Sequence, residues 1–345
     1  MEIKRLQHVE ALSISPDRIF HSATHDEIKD GATTDIYFVR TQELLASIGK
    51  ESTEVTAEIF ASRPGVLAGI EEAVNFLKGK KVSVWAVPEK EEIREKEVVM
   101  RLQGPYDEFG TYETVLLGML ASASGWATAA KVCLEAAAGK AVYCFGARHL
   151  HPAVAPVMER AALVGGAAGC SCILGAKLYG KNPSGTVPHA AMLIIGDTVK
   201  TAQLYDEVMP TGAARIILVD TFKDEAEETM RVAQKLKEHL QGVRLDTPGE
   251  RGGVTPGLVR EIRARLDQEG YNYVKIFVSG GLTPERINKL AEAGADAFGV
   301  GSYIARAHGI DMTMDLKEVS GKPLAKRGRI PGITPNPRLV QYLDK

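Results

Sequence analysis

Two late segments of the chain, FVSGGLTPERI and FGVGSYIA, combine apolar runs with glycines at their ends. Glycines let backbone N–H groups approach a phosphate closely, and a helix that starts just beyond them adds a favourable dipole. The same glycines could simply serve tight turns that need positive φ. Because two consecutive runs end in this way, the pattern favours a phosphate site. Its candidate residues are Ser279, Gly280, Gly281, Gly299, Gly301 and Ser302.

Charged side chains stand at the ends of three earlier apolar runs: Arg148 at the end of AVYCFGAR, Asp220 within ARIILVDTF, and Arg244 with Asp246 in GVRLDTP. An arginine fork at such a position can grip a carboxylate or a phosphate through two parallel hydrogen bonds. The alternative is an internal ion pair between an arginine and one of the two aspartates.

Three histidines lie close to these segments. His149 and His151 follow Arg148, so they could face the site or cap the next helix. His189 follows a loop, NPSGTVP, that opens an apolar run. Its spacing alone does not separate a packing role from a functional role.

The segments that carry these residues alternate in type from residue 113 onward. Short runs rich in Val, Ile and Phe are each followed by a helical stretch, which is typical of parallel strands buried on both faces. No G-x-G-x-x-G motif opens the first unit, so an α/β barrel is favoured over an open dinucleotide-binding sheet. We expect a further strand within PHAAMLIIG (188–196).

The first 112 residues lack this alternation. Strand-like runs at 81–89 and 97–106 follow a helical segment at 63–79, which suggests a small α+β unit. We therefore expect an N-terminal α+β domain over 1–112, a barrel domain over 113–311, and a return of 312–345 to the first domain.

Composition excludes several classes of protein. The 345 residues carry 42 Lys+Arg against 44 Asp+Glu, a formal charge of −2, so a nucleic-acid partner is not indicated. The four cysteines lack zinc-site spacing and are too sparse for a disulfide scaffold. The apolar stretches at 114–130 and 161–176 are shorter than a membrane span and read as packed helices, and no export signal is visible. We expect a cytoplasmic protein with no membrane partner.

Taken in order, the motifs resemble those of the nicotinate phosphoribosyltransferase family, which shares the type II fold with quinolinate and nicotinamide phosphoribosyltransferases. The resemblance extends from TTDIYFVRT (33–41) to KPLAKRGRI (322–330) and rests on the stretches FGARHLHPA, NPSGTVPH, LVDTF, GVRLDTP, KIFVSGGL and FGVGSYI.

The resemblance implies a small α+β sandwich followed by an irregular, TIM-like α/β barrel. It also implies a homodimer or larger assembly with active sites shared between subunits. The implied reaction joins nicotinate to phosphoribosyl pyrophosphate, a step of NAD biosynthesis that yields nicotinate mononucleotide and pyrophosphate. ATP hydrolysis would be coupled through a phosphohistidine, and Mg²⁺ would accompany phosphoribosyl pyrophosphate and ATP.

The resemblance also assigns roles to residues that would contact the pyridine. Phe145 and Tyr37 of the partner subunit would sandwich the ring, and Arg148 would pair with the carboxylate. Ser171 stands where relatives that use the amide carry an Asp, so it favours the acid.

Further roles concern the sugar and the phosphates. Arg244 and Asp246 would hold the ribose and pyrophosphate, and the glycine-rich ends would cradle phosphates. His189 matches the phosphorylated histidine of a G-T-x-x-H pattern, and Asp220 could help to position Mg²⁺ through pyrophosphate.

Two departures from the family pattern bear on these roles. His149 replaces the second Arg of F-G-x-R-R, which makes one cation titratable. The acidic run after Asp220 is displaced by one residue, which weakens the metal assignment.

Two alternatives stay open beside this interpretation. Quinolinate phosphoribosyltransferase, which decarboxylates its substrate, calls for more clustered cations than Arg148, Arg244 and His149 supply. A non-catalytic pyridine-nucleotide sensor would have no need of His189.

Overall fold

The computed structural model describes residues 2–345 and contains fourteen α-helices and fourteen β-strands in that part of the chain. The strands are β1 Glu54–Ala61, β2 Gly65–Val66, β3 Ser83–Ala86, β4 Glu92–Ile93, β5 Val98–Pro105, β6 Ala141–Cys144, β7 Gly169–Cys170, β8 Ile216–Leu218, β9 Gly242–Leu245, β10 Lys275–Ser279, β11 Ala297–Val300, β12 Met312–Val319, β13 Lys322–Pro323 and β14 Val340–Leu343. The helices are α1 Leu6–Ala11, α2 His25–Lys29, α3 Ile36–Ser47, α4 Ile70–Leu77, α5 Tyr106–Phe109, α6 Glu113–Ala136, α7 Ala155–Val164, α8 Ile173–Leu178, α9 His189–Ile195, α10 Thr198–Val208, α11 Glu225–Leu236, α12 Pro256–Gln268, α13 Pro284–Glu292 and α14 Ser302–Ala305.

The chain forms two compact units. The first contains the residues up to 128 together with 308–345, and the second contains 129–307. The boundary lies inside α6, whereas the sequence pattern placed a domain boundary at 112, one residue before this helix begins.

The first unit is built on an antiparallel six-stranded sheet in the order β13-β12-β1-β5-β3-β14. Residues 98–105 alternate between buried and partly exposed positions along most of β5, the period of a strand with one face on a core. The central strand β1 was not expected from the sequence, because Glu54 and Glu58 interrupt its apolar run. Glu58 is nevertheless buried: it lies opposite Arg101 in the sheet and accepts two hydrogen bonds from that guanidinium, at 2.8 and 2.9 Å.

Helix α6 begins at Glu113 and is mostly apolar. With the short helical turns before it, the stretch Tyr106–Ala136 is long and apolar enough to span a membrane by length and composition. More than half of its most apolar window is buried inside the protein, which is equally the pattern of a core helix.

The first residue of α6 should make the stability of the protein depend on pH. Burial, and secondly the charge of Asp315, raise the pKa of Glu113 from 4.5 to about 7. A raised carboxyl pKa contributes stability that is complete below 4.5 and is lost as the pH rises to about 7. We therefore expect Glu113→Gln to raise the free energy of unfolding above neutral pH by about 1–2 kcal/mol, after discounting for the partial exposure of the side chain.

The test is thermal or urea unfolding of Glu113→Gln and wild type at acidic and at mildly alkaline pH. Glu95→Gln, on an exposed side chain of the same unit, is the matched control. A gain for Glu113→Gln of equal size at both pH values would contradict the titration of Glu113.

The second unit is a curled, wholly parallel sheet in the order β7-β6-β11-β10-β9-β8. Four of the five residues of β10 are buried, as expected for a strand covered on both faces. This architecture confirms the predicted α/β fold with a TIM-like barrel. The edges of the sheet are β7 and β8, which follow one another in sequence, and the chain between them contains α8, α9 and α10.

The sequence prediction was wrong at two places around this opening. Residues 189–195 form helix α9, not a strand: the run HAAMLII contains good helix formers, and it ends at Gly196, which has φ +92°. Residues 161–176 are not one packed helix. They contain the end of α7, the short edge strand β7 and the start of α8, because Gly165 and Gly166 end the helix.

Candidate functional site

Three polar side chains of the second unit surround Arg244 near the carboxyl ends of the parallel strands. The guanidinium donates from Nε to Ser279 Oγ (2.8 Å), from Nη1 to Thr186 Oγ1 (3.0 Å) and from Nη2 to Asp246 Oδ2 (3.3 Å). Ser279 Oγ in turn donates to Asp246 Oδ1 at 2.8 Å. We call Thr186, Arg244, Asp246 and Ser279 the Arg244 cluster.

Strand register explains why the Arg244 cluster forms. Ser279 ends β10, where it pairs with Gly299 of β11, and Arg244 lies on β9 opposite Phe277 of β10. Burial lowers the pKa of Arg244, while the neighbouring Asp246 and Asp220 oppose that effect. The cluster is thus a preorganised cation whose three nitrogens are already bonded, and its acceptors can be exchanged for phosphate or ribose oxygens.

An aromatic cavity adjoins the cluster. The Phe145 ring stacks on Phe277, with centroids 6.0 Å apart and planes at 13°, and the Arg244 guanidinium lies 5.4 Å from the Phe145 centroid. The cavity measures about 310 Å³ and is lined by Tyr143, Phe145, Phe277, Tyr205, Ile216 and the loops at 183–186 and 212–214. Such walls suit a planar aromatic ligand. Sequence reasoning proposed Phe145 but missed Phe277 and Thr186.

The side chains of His189 and Asp220 are in contact, although the two residues are 31 positions apart in the sequence. His189 is the first residue of α9, and its Nε2 lies 3.1 Å from Asp220 Oδ2. The Asp220 side chain is 1% exposed and that of His189 is 39% exposed. Burial raises the pKa of Asp220, and the nearby His189 opposes this effect.

Arg148 and His149 lie in a short 3₁₀ turn, Ala147–His149, directly after β6, and both are exposed. Burial and the positive charges of Arg306 and Arg148 lower the pKa of His149 below 6.5. His149 is therefore neutral at neutral pH, and Arg148 carries the charge of this turn.

This arrangement predicts that an anionic ligand of the turn binds more tightly in acid. As the pH falls through the lowered pKa of His149, the imidazole gains a proton and adds a positive charge to those of Arg148 and Arg306. We expect KM for a pyridine carboxylate to decrease as the pH falls below 6.5 and His149 becomes protonated. His149→Arg should flatten this dependence, and steady-state kinetics across the range measure it. An unchanged dependence in His149→Arg would exclude His149 as the titrating group.

Ser171 follows β7, and its hydroxyl group is hydrogen-bonded within the protein. Its Oγ donates to Glu159 Oε1 at 3.0 Å. Glu159, on α7, is a fully buried residue that sequence reasoning missed. Its only sequence signal was a glutamate within an otherwise apolar helical run, APVMERAALV.

The glycines assigned to phosphate binding divide into two kinds. Gly280 and Gly281 have φ +91° and +58°, so their turn before α13 requires glycine. Gly299 instead makes room for a ring, because an added Cβ would lie 2.5 Å from Phe145. A Cβ on Gly301 would lie 2.8 Å from the Phe145 carbonyl oxygen, and Ser302 begins the short helix α14.

Within residues 2–345, no group of three or more His, Cys, Asp or Glu residues forms a cage for a metal ion. Asp220 nevertheless has the chemistry of a single metal ligand. Its two oxygens are shielded from solvent, and neither has a well-directed hydrogen bond in the described chain, so both can accept an additional ligand.

Tyr37 belongs to the first unit and lies in the first turn of α3, with 53% of its surface exposed. Its ring contacts Phe38 at a centroid distance of 4.2 Å. An exposed aromatic at a helix start is available for contact with another molecule.

Sequence profiles assign both parts of the chain to one family. The profile "Quinolinate phosphoribosyl transferase, N-terminal domain" matches residues 35–124, and the corresponding C-terminal domain profile matches residues 126–315.

Individual relatives agree with this assignment. Nicotinate phosphoribosyltransferase of Mycobacterium tuberculosis is 31% identical over 268 residues, which cover 74% of this chain and 56% of the relative. The chain thus matches little more than half the length of that curated relative. A solved structure of nicotinate-nucleotide pyrophosphorylase from Pyrococcus furiosus is similar with a TM-score of 0.86 and 46% identity, covering 92% of this chain and 82% of the other.

Human nicotinic acid phosphoribosyltransferase shares the fold, with a TM-score of 0.68 at 19% identity over 87% of this chain and 77% of the human chain. The profiles together span nearly all of the segment in which the motifs were found. The resemblance read from those motifs is confirmed: the chain belongs to the quinolinate phosphoribosyl transferase family of type II phosphoribosyltransferases, which includes proteins named for nicotinate.

Proposed function

We propose that this protein is a nicotinate phosphoribosyltransferase of NAD biosynthesis, which forms nicotinate mononucleotide and pyrophosphate from nicotinate and phosphoribosyl pyrophosphate. The proposal rests on the different surroundings of the two arginines, Arg148 and Arg244. Arg244 has all three guanidinium nitrogens bonded within its cluster, whereas Arg148 is exposed in the turn three residues after Phe145. One exposed fork beside an aromatic wall suits a planar acid with one carboxylate.

The chemistry requires no covalent bond between protein and sugar. The pyridine nitrogen must be held in line with C1 of the ribose while pyrophosphate leaves and positive charge develops on the sugar ring. Phe145 would orient the pyridine plane and Arg148 would fix its carboxylate. The Arg244 cluster and the Gly280–Gly281 turn would hold the ribose and the departing phosphates, where negative charge increases.

Mg²⁺ would stabilise the charge on the pyrophosphate when it is bound with phosphoribosyl pyrophosphate or ATP. Asp220 has two buried oxygens that are still able to accept a ligand, and Asp246 is close enough to raise its pKa. These two carboxylates would hold the metal mainly through the phosphate oxygens that complete its shell.

His189 is proposed to couple ATP hydrolysis to transfer. In this scheme the imidazole carries its proton on Nε2, 3.1 Å from Asp220 Oδ2, and the Nδ1 lone pair is the nucleophile that attacks the γ-phosphorus and breaks its bond to ADP. Hydrolysis of the resulting phosphohistidine returns the free imidazole and inorganic phosphate. Asp220 therefore fixes the tautomer of the histidine in this scheme.

A second candidate, quinolinate phosphoribosyltransferase, is favoured by the family profiles and by one solved structure. The Pyrococcus furiosus protein, named nicotinate-nucleotide pyrophosphorylase, is 46% identical. Quinolinate has a second carboxylate, which would need another cation. The lowered pKa of His149 disfavours its charged form and Arg244 is already bonded, so these two groups support nicotinate; Arg306, whose charge also acts on His149, is the cation that a second carboxylate would have to use.

The experiment is to assay wild type with phosphoribosyl pyrophosphate and nicotinate, quinolinate or nicotinamide in parallel, each with and without ATP. The proposal expects turnover of nicotinate that ATP increases, with little turnover of the other two. Turnover of quinolinate alone, with release of CO₂, would establish the second candidate. Binding of nicotinate mononucleotide without any turnover would indicate a pyridine-nucleotide sensor.

We also propose that the protein works in the cytoplasm as a homodimer or larger assembly, and that Tyr37 of one subunit completes the site of its partner. Tyr37→Ala and Arg148→Ala should each be inactive alone. Mixed under conditions that exchange subunits, they should recover activity, because one site of each hybrid dimer contains both wild-type residues. Activity of the separate and mixed preparations measures this. Fully active monomers at assay concentration would refute the shared site.

A further inference from the structure

A buried carboxylate joins two of the loops that carry the site. Glu159 lies on α7 and is 0% exposed. Its Oε1 accepts hydrogen bonds from the backbone N–H groups of Gly146 (2.9 Å) and Ala147 (2.9 Å) and from Ser171 Oγ (3.0 Å). Its Oε2 accepts a further one from the Cys172 N–H.

These four donors come from two separate strand ends. Gly146 and Ala147 lie between Phe145 and Arg148 after β6, whereas Ser171 and Cys172 follow β7. A carboxylate offers about four acceptor positions; three of these donors share Oε1 and one uses Oε2. Bonds to an ionised acceptor are roughly twice as strong as neutral ones, and in a buried site the cost of breaking them is high.

These bonds restrict what the backbone of both loops can do. An N–H that points inward to Glu159 cannot bind a substrate carboxylate, so that task passes to the Arg148 side chain. The same bonds fix the backbone just after β6 and just after β7, which limits how far Phe145 and Arg148 can move relative to Ser171.

We propose that Glu159 is a positioning residue for the pyridine acid: it ties the β6 and β7 ends together so that Phe145, Arg148 and Ser171 keep the spacing that a planar carboxylate substrate requires. The inference rests on the proposed function for the identity of that substrate. The effect of Glu159 on the two loops does not depend on which substrate binds.

Two buried thiols, Cys144 and Cys170, lie close to Glu159. Burial first and the Glu159 charge second raise the pKa of Cys144 and of Cys170, in the latter case to about 12. These thiols stay protonated and serve as packing groups.

The test compares Glu159→Gln with wild type and with Glu228→Gln. Glutamine keeps the size of the side chain, but its amide group would place an N–H against the Cys172 N–H. Glu228, on α11, is also 0% exposed, and it pairs with Arg231 away from both loops, so its variant controls for loss of a buried carboxylate in the same unit.

For Glu159→Gln we expect KM for nicotinate to rise on the order of tenfold, with KM for phosphoribosyl pyrophosphate within about twofold of wild type. Amide hydrogen exchange should accelerate at Gly146, Ala147 and Cys172 and stay unchanged elsewhere in the unit. Glu228→Gln should change neither KM nor exchange at these amides.

If Glu159→Gln does not fold, Ser171→Ala removes one donor from the β7 side. The proposal expects faster exchange at Gly146 and Ala147 on the β6 side, because their N–H groups share Glu159 Oε1 with Ser171 Oγ, while the backbone pairing of β6 with β7 stays in place. Unchanged exchange there, or equal increases in both KM values for Glu159→Gln, would overturn the positioning role.

The outcome separates this inference from the proposed function. If wild type converts quinolinate and not nicotinate, the proposed function fails, and the same KM comparison is made with quinolinate. The exchange measurement requires no substrate and stands in either case.

Discussion

His189→Ala should retain a low transfer rate without ATP and lose all nicotinate-stimulated ATP hydrolysis. Transfer depends on positioning and on stabilisation of the leaving group, neither of which requires this imidazole. ATP cleavage by the proposed route does require it, because the imidazole is the phosphoryl acceptor. We expect ATP hydrolysis to fall at least about 10³-fold, the range seen when a nucleophile is removed.

The phosphoenzyme provides the direct measurement. Wild type incubated with γ-labelled ATP should give an acid-labile, base-stable phosphoprotein that is absent from His189→Ala. Asp220→Asn should form it more slowly, because the amide can also donate and so no longer enforces Nε2–H. The melting temperature of each variant must accompany these data, since His189 also begins α9. A folded His189→Ala that hydrolyses ATP at the wild-type rate would exclude His189 as the phosphorylated residue.

Arg148→Lys should weaken nicotinate binding far more than binding of phosphoribosyl pyrophosphate. Lysine keeps the positive charge but loses the planar fork that matches a carboxylate. Loss of one bidentate contact costs a few kcal/mol, which corresponds to a rise in KM for nicotinate on the order of a hundredfold.

Two comparisons make the Arg148 result specific. Arg263→Lys changes an arginine that bonds Asp267 and the Val274 carbonyl on another part of the unit, so it controls for loss of a structural fork. It should leave both KM values near wild type. Equal losses for nicotinate and for the phosphoribosyl donor in Arg148→Lys would place Arg148 on a different part of the substrate.

The repeated strands of the second unit were predictable because parallel strands buried on both faces leave continuous apolar runs. Their ends were predictable for the same reason, since Arg148, Asp220, Asp246 and Ser279 each follow such a run. The motif predicted that His189 belongs to the site, whereas the apolar run predicted that it begins a strand. Apolar runs of seven residues fit either state, and the choice of helix α9 depends on Gly196 and on the opening between β7 and β8.

Contacts between distant segments had no local signal. Thr186 meets Arg244 across 58 residues, and Phe277 stacks on Phe145 only because β10 and β6 both flank β11. Glu159 lies in a helical run whose other residues are mainly apolar, where a single acid normally indicates the solvent side. Its burial depends on donors from two loops, and no periodicity in the sequence reports those.

The central claim is the choice of nicotinate, and a competition assay tests it most directly. Wild type receives equal amounts of unlabelled nicotinate and ring-labelled quinolinate with phosphoribosyl pyrophosphate and ATP. Both acids give nicotinate mononucleotide, so the ratio of light to heavy product in the mass spectrum equals the ratio of the two kcat/KM values. One exposed arginine fork at Arg148, a neutral His149 and a fully bonded Arg244 predict light product in excess by about 10²-fold or more. Predominantly heavy product, with CO₂ released in equal amount, would contradict the account.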